Sequence, residues 1–230
     1  MSNPIKVAAL VGVVVAGTAW FALGQADAPR LLPSPVLDER ANGDHETAVL
    51  AGGCFWGMQG VFEHVKGVTR VLSGYAGGER DMAEYETVST GKTGHAESIE
   101  ITFNPRIISY GQILRVYFSV AHDPTELNRQ GPDEGTQYRS EIFFTSPTQQ
   151  RIASAYIAQL SQAHAFSADI VTRVEALRGF YAAEAYHQDY LIHHPESLYI
   201  RVNDLPKVAR LRQLYSGLYR NTPVTVLSGR

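Results

Sequence analysis

The 230-residue chain contains one cysteine, Cys54. It lies in AVLAGGCFWGMQGVFEHV (48–65), behind two glycines and ahead of Phe55, Trp56 and Gly57. A short apolar run, a glycine pair, and then Phe55, Met58, Phe62 and Val65 at helical spacing describe a strand, a sharp turn and a helix that starts at the thiol. Free N–H groups and the positive end of the helix dipole gather at such a place. They stabilise a thiolate, and cysteines there ionise at roughly 3.5–7.5. A reactive nucleophile is the expectation, with a small buried hydrophobe as the other reading.

Glu97 is the second group with chemistry to offer. In the alternating segment 95–103 it shares a face with Ile99, Ile101 and Phe103. A carboxyl on that face is desolvated, which raises its pKa and leaves a proton to donate near neutral pH. The alternative is a strand-end carboxylate paired with an arginine at the rim. Tyr85, Tyr138 and Asp133 lie in polar loop sequence and can each bond a polar substrate atom, although twelve tyrosines are present and any one can be structural. His95, His122, His187, His193 and His194 show no metal-binding spacing, and His122 and His187 read as hydrogen-bonded supports. A lone cysteine excludes an internal disulfide and multi-cysteine zinc or iron–sulfur sites, so no metal is expected.

These residues need elements to hold them. Strands are expected over 46–51, 68–75, 95–103, 138–145 and 170–175. Helices are expected from Cys54, from the capping box Ser109/Gln112 to about Ala121, from Ser146-Pro147, over 181–193 and over 207–218. Residues 76–94 read as a long, functional loop. The order matches a split β-α-β, ferredoxin-like core: an α+β, two-layer domain with a mixed sheet and extra C-terminal helices. Residues 7–24 carry no charge, a length between a signal-peptide core and a membrane span. The division expected is 1–24 signal peptide or N-terminal anchor, 25–45 linker, 46–220 catalytic domain and 221–230 tail. That places the domain outside the cytoplasm, periplasmic or membrane-anchored. Net charge of −3 without a basic run argues against nucleic acid.

The blocks GCFWG (53–57), GYAGG (74–78), YETVSTGKTGHAE (85–97), HDPTELNRQGPDEGTQYRS (122–140) and AEAYHQDYL (183–191) resemble, in order and spacing, peptide methionine sulfoxide reductases of the A type. The resemblance covers about residues 46–200. It implies reduction of methionine S-sulfoxide, free or in proteins, as oxidative-stress repair. It implies Cys54 as the nucleophile on the sulfoxide sulfur and Glu97 as the acid on its oxygen. Tyr85 and Tyr138 become the hydroxyls on that oxygen, Asp133 a supporting polar group, and Phe55 and Trp56 the substrate-binding walls around the S-methyl. The chemistry agrees: a sulfoxide sulfur is a poor electrophile until its oxygen is protonated, so the site needs a low-pKa thiol beside a high-pKa acid. Many relatives resolve the oxidised nucleophile with a second cysteine, which these 230 residues do not contain. The expected product is a sulfenic acid reduced by an external thiol such as thioredoxin, glutaredoxin or glutathione, with no bound cofactor and a monomeric enzyme. Two competing readings are a papain-type cysteine hydrolase, which needs a histidine at the thiol, and an exported, non-enzymatic binding domain with an incidental thiol.

Overall fold

The computed structural model describes residues 31–38 and 43–227. The expected signal or anchor over 1–24, part of the expected linker, and the end of the tail lie outside the described residues.

The chain runs β1 Glu46–Gly52, α1 Phe55–Glu63, β2 Val68–Ala76, α2 Tyr85–Val88, β3 Ala96–Phe103, α3 Tyr110–Val116, β4 Arg129–Gln130, β5 Asp133–Glu134, β6 Ser140–Phe144, α4 Pro147–Gln162, β7 Arg173–Ala176, β8 Phe180–Ala182, α5 Tyr190–His193 and α6 Leu205–Leu214. Six strands form one sheet in the order β7-β6-β1-β3-β2-β8, and β4 and β5 form a small hairpin. β1 and β2 both run antiparallel to β3, and β3 and β6 both run antiparallel to β1. The two split β-α-β units therefore interlock, as expected for a ferredoxin-like core. β7 adds parallel to β6 and β8 antiparallel to β2, so the sheet is mixed.

Alternation along the strands decides where the core sits. Leu50, Val71, Ile99, Ile101, Phe103 and Ile142 meet Phe62, Ile113, Leu114, Ile152 and Tyr156 in one large cluster on the helical face. The reverse face carries a thinner layer of Val49, Ala51, Ala76, Ala96 and Phe143, covered by Leu177 and Phe180. Helix α1 is buried along nearly its whole length, with the sheet on one side and α5 and α6 on the other. Antiparallel pairing brings the C-terminal end of β1 between the starts of β3 and β6, with Ala51 opposite Ser98 and Gly52 opposite Ser140. Cys54 follows that end, Glu97 precedes Ser98, and Tyr138 precedes Ser140. The topology itself therefore gathers these three residues.

Three expectations change. The segment 181–193 is not one helix: it holds β8, a 3₁₀ turn at Ala185–His187, and the single turn of α5. Its first residues pair with β2 as an edge strand, and the buried Gln188 side chain continues that edge beside Ser73. Its Oε1 accepts from Ser73 N–H at 2.9 Å and its Nε2–H donates to Ser73 O at 2.9 Å. The loop over 76–94 contains a 3₁₀ turn at Arg80–Met82 and α2. Residues 31–38, expected as part of a linker, are docked on the domain. Leu32 is buried, Tyr156 Oη donates to Pro33 O, and Asp38 accepts from Ser109 Oγ–H and Gly111 N–H at the start of α3. The capping box forms as expected: Ser109 Oγ accepts from Gln112 N–H and Gln112 Oε1 accepts from Ser109 N–H. The helix beyond α3 continues to Ala121 as a π-helical turn.

Candidate active site

Between β1 and α1 the chain turns at Gly53, whose φ of +89° is a glycine conformation. A side chain there would also meet Gln130, with its Cβ 2.5 Å from that residue's side chain. Cys54 then occupies the N-cap of α1. Phe55 N–H, in the first turn, donates to Glu97 Oε2 at 3.0 Å, and the Trp56 backbone amide acts to lower the thiol pKa.

Glu97 is 3% exposed and lies in a row with Ile99, Ile101 and Phe103, all fully buried. Burial pushes its carboxyl up to about 8; the Phe55 N–H bond works against that shift and the nearby Asp133 adds to it. At pH 7 the acid form therefore predominates over the carboxylate.

The thiol departs from expectation. Cys54 is buried, and its pKa lies well above the ordinary thiol value rather than below it. Burial is the largest cause, followed by the charges of Glu97, Asp204 and Asp133; the nearby Trp56 backbone amide opposes them. The helix terminus does supply its donors, but desolvation beside carboxylates outweighs them. The free site holds a neutral thiol next to a neutral carboxylic acid. Because Glu97 is mostly protonated at neutral pH, the largest of those charges is mostly absent there.

The loop residues named from sequence converge on this pair. Burial first, then Glu97, raise the phenol pKa values of both Tyr85 and Tyr138, and Cys54 acts on each as well. Tyr138 also feels Asp133 and Tyr85. Trp56 is half-buried; its indole stacks on Tyr190 with centroids 3.8 Å apart and meets Tyr199 edge-on at 5.9 Å. Phe55 is only 1% exposed, with its ring against Tyr75 and His187, so it backs the site more than it faces it.

Sequence reasoning missed four participants. Tyr199 donates a short hydrogen bond to Asp133, one of the acidic groups acting on the thiol. Glu184 holds the Tyr85 backbone: its two carboxyl oxygens accept from Tyr85 N–H and Tyr75 Oη–H, each at 2.9 Å. Asp204, fully buried, pairs with Lys207 at 3.1 Å against α1. Gly57, the last residue of GCFWG, makes room for them, since a Cβ there would fall 2.0 Å from Asp204 Oδ1. That close approach accounts for a glycine inside a buried helix, and the i,i+3 spacing of Asp204 and Lys207 was the one trace of the pair in the sequence.

Both candidate histidines are engaged elsewhere. His187 Nδ1 accepts from the Trp56 indole at 3.1 Å, and His122 bonds Tyr117 O and Ser140 Oγ. The acid bonded to the helix that carries the thiol is Glu97, which removes the basis of the hydrolase reading. Among the described residues no cluster of histidine, cysteine and carboxylate side chains could hold a metal.

Comparison with known proteins points to one family. The model of the family described as Peptide methionine sulfoxide reductase matches residues 46–217. A relative from Mesorhizobium japonicum, Peptide methionine sulfoxide reductase MsrA 2, is 60% identical over 192 residues, which is 84% of this chain and 98% of the relative. One of the same name from Synechocystis is 50% identical over 192 residues, 81% of this chain and 89% of the relative. Among solved structures, Mxr1 of Saccharomyces cerevisiae in reduced form matches with a TM-score of 0.60 at 31% identity, over 70% of this chain and 91% of that one. Methionine sulfoxide reductase A of Corynebacterium diphtheriae matches with a TM-score of 0.58 at 33% identity, over 72% of this chain and 84% of that one. With its thiol and acid on one helix terminus, and with matches of this extent, the chain belongs to the peptide methionine sulfoxide reductase family.

Proposed function

We propose that this oxidoreductase reduces methionine S-sulfoxide through a neutral thiol–acid pair, Cys54 and Glu97. One observation carries the assignment: Glu97, protonated at neutral pH, is hydrogen-bonded to the same helix N-terminus that presents the Cys54 sulfur. The sulfoxide oxygen sits toward Tyr85 and Tyr138, and the S-methyl lies against Trp56, with Phe55 behind. Asp133, held by Tyr199, is the supporting polar group.

The proton balance fits a site that starts neutral. Glu97 gives its proton to the sulfoxide oxygen, and the sulfur becomes electrophilic. Cys54 attacks that sulfur while its own proton passes to the Glu97 carboxylate. The oxygen then moves to the Cys54 sulfur: a Cys54 S–O bond forms as the new S–S bond and the substrate S–O bond break, so thiol plus sulfoxide become sulfenic acid plus sulfide. Two external thiols complete the cycle, giving one disulfide and water and returning the Cys54 thiol. Thioredoxin, glutaredoxin or a glutathione-like thiol fits that role.

Localisation follows the same reading. The uncharged stretch 7–24 supports export, with the domain released or tethered outside the cytoplasm as a monomer. The direct test is incubation with methionine sulfoxide of each configuration plus dithiothreitol. Methionine from the S epimer and none from the R epimer is the expected outcome; no methionine from either overturns the assignment.

A further inference from the structure

We propose that Arg139 is a positioning residue: its guanidinium staples the turn that carries Tyr138 to the strand entry that carries Glu97, and so sets how the phenol meets the acid at the sulfoxide oxygen. This rests on Glu97 and Tyr138 as the partners of that oxygen.

Tyr138 ends a 3₁₀ turn, Thr136–Tyr138, which is entered through Gly135 at a φ of +135°. β6 begins only at Ser140. Glu97 is the second residue of β3, just past Gly94 and His95. β1 lies between β3 and β6 in the sheet, so those two strands are not paired with each other. Arg139 supplies the direct link. Its Nη1 donates to Thr136 O at 2.9 Å and to His95 O at 3.1 Å, and its Nη2 donates to Gly94 O at 2.9 Å. Its Nε donates to Glu141 Oε2 at 2.5 Å. These four bonds join three segments: the Tyr138 turn, the entry to β3, and β6.

The staple sits on the thin reverse face of the sheet. A Cβ at Gly77 would fall 2.7 Å from Arg139 Nη2 and 3.3 Å from the ring of Phe143, a member of that layer. Gly77 and Gly94 have φ of +99° and +78°, which lets the end of β2 and the entry to β3 close around the guanidinium. Arg139 is 7% exposed and Glu141 1%, so water competes little for these bonds. A planar fork can serve three carbonyls and a carboxylate at once; the single nitrogen of a lysine cannot. Arg139 therefore acts through backbone: two residues before Glu97 at His95, and two before Tyr138 at Thr136.

The test uses the full chain. Arg139→Lys keeps a charge for Glu141 but loses the fork. Arg139→Met combined with Glu141→Leu removes the staple without leaving a buried charge unpaired. Each should lower kcat for methyl p-tolyl sulfoxide about ten-fold with a smaller change in KM, the scale of one hydrogen bond made in the transition state. In a Tyr138→Phe background the loss should shrink to less than about two-fold, while in a Trp56→Phe background it should stay about ten-fold. A residue that only held the fold together would lower activity by the same factor in both. A second readout needs no turnover. Tetranitromethane nitrates tyrosines, and Cys54→Ser keeps the reagent from attacking the thiol. The nitration of half-buried Tyr138, relative to Tyr186 at 61% exposure, should rise several-fold in either Arg139 variant. Equal losses in the two backgrounds, an unchanged kcat, or an unchanged nitration ratio overturns the proposal. Should Arg139→Lys not fold, the paired variant decides. Absence of turnover in the parent would instead overturn the activity assignment, and the nitration ratio would then decide the staple.

Discussion

The Phe55 amide nitrogen lies 3.0 Å from Glu97 Oε2, so the first free donor of α1 is bound by the acid at the helix start whose N-cap is Cys54. One helix terminus thus orients both partners of the reaction and couples their protonation.

Glu97→Gln removes the proton but keeps an oxygen for the Phe55 N–H. Turnover should fall by about 10²–10⁴, the usual cost of a lost general acid, with substrate affinity little changed. In the parent, kcat/KM should decline as pH rises through about 8, because the proton donor is lost there. A pH–rate profile flat to pH 10 would place the acid elsewhere.

A thiol pushed up by burial and by neighbouring carboxylates should alkylate slowly. Iodoacetamide should react with Cys54 more slowly than with free cysteine at pH 7. Substrate should nevertheless oxidise it. After one equivalent of methionine sulfoxide the intact mass should rise by one oxygen atom and dimedone should trap the product. Fast alkylation at pH 6 would restore the low-pKa thiol expected from the helix start.

Gly57→Ala would set a methyl 2.0 Å from Asp204 Oδ1 and 3.0 Å from Lys207 Nζ. Asp204 cannot retreat easily, since it is fully buried. Overpacking of this kind costs about 1–3 kcal/mol, and α1 carries Cys54, so activity should fall with stability. Unchanged thermal denaturation would show that the C-terminal segment shifts freely.

Glu63 sits fully buried at the far end of α1 with its carboxyl pushed up to about 9, by burial first and then by Asp189. A folded-state pKa above the unfolded value means stability fully present below about pH 4.5 and lost as pH rises through 9. Glu63→Gln, neutral at every pH, should remove that slope and raise stability at pH 7 by on the order of 3 kcal/mol. Denaturant titrations at pH 5, 7 and 9 measure it. Parallel pH dependences of parent and variant would contradict it.

Much of the fold was legible because it rests on local patterns. Alternation in 95–103 placed Glu97 on the apolar face, and Ser109 with Gln112 marked the start of α3. Gln188 shows where such reading stops: its side chain completes the sheet beside Ser73, and helical spacing in 181–193 carries no sign of it. Tyr199 and Glu184 were invisible for the same reason, since their partners Asp133 and Tyr85 are distant in the chain.

By itself the sequence determined that a lone cysteine begins a helix, that a carboxyl shares an apolar strand face, and that the elements alternate as two split β-α-β units. Those are consequences of residue type and short-range spacing. The tertiary structure alone decided the protonation state of the pair. Helix ends lower a thiol pKa locally, but the depth of burial and the approach of Glu97, Asp133 and Asp204 raise it more, and those depend on how distant segments pack.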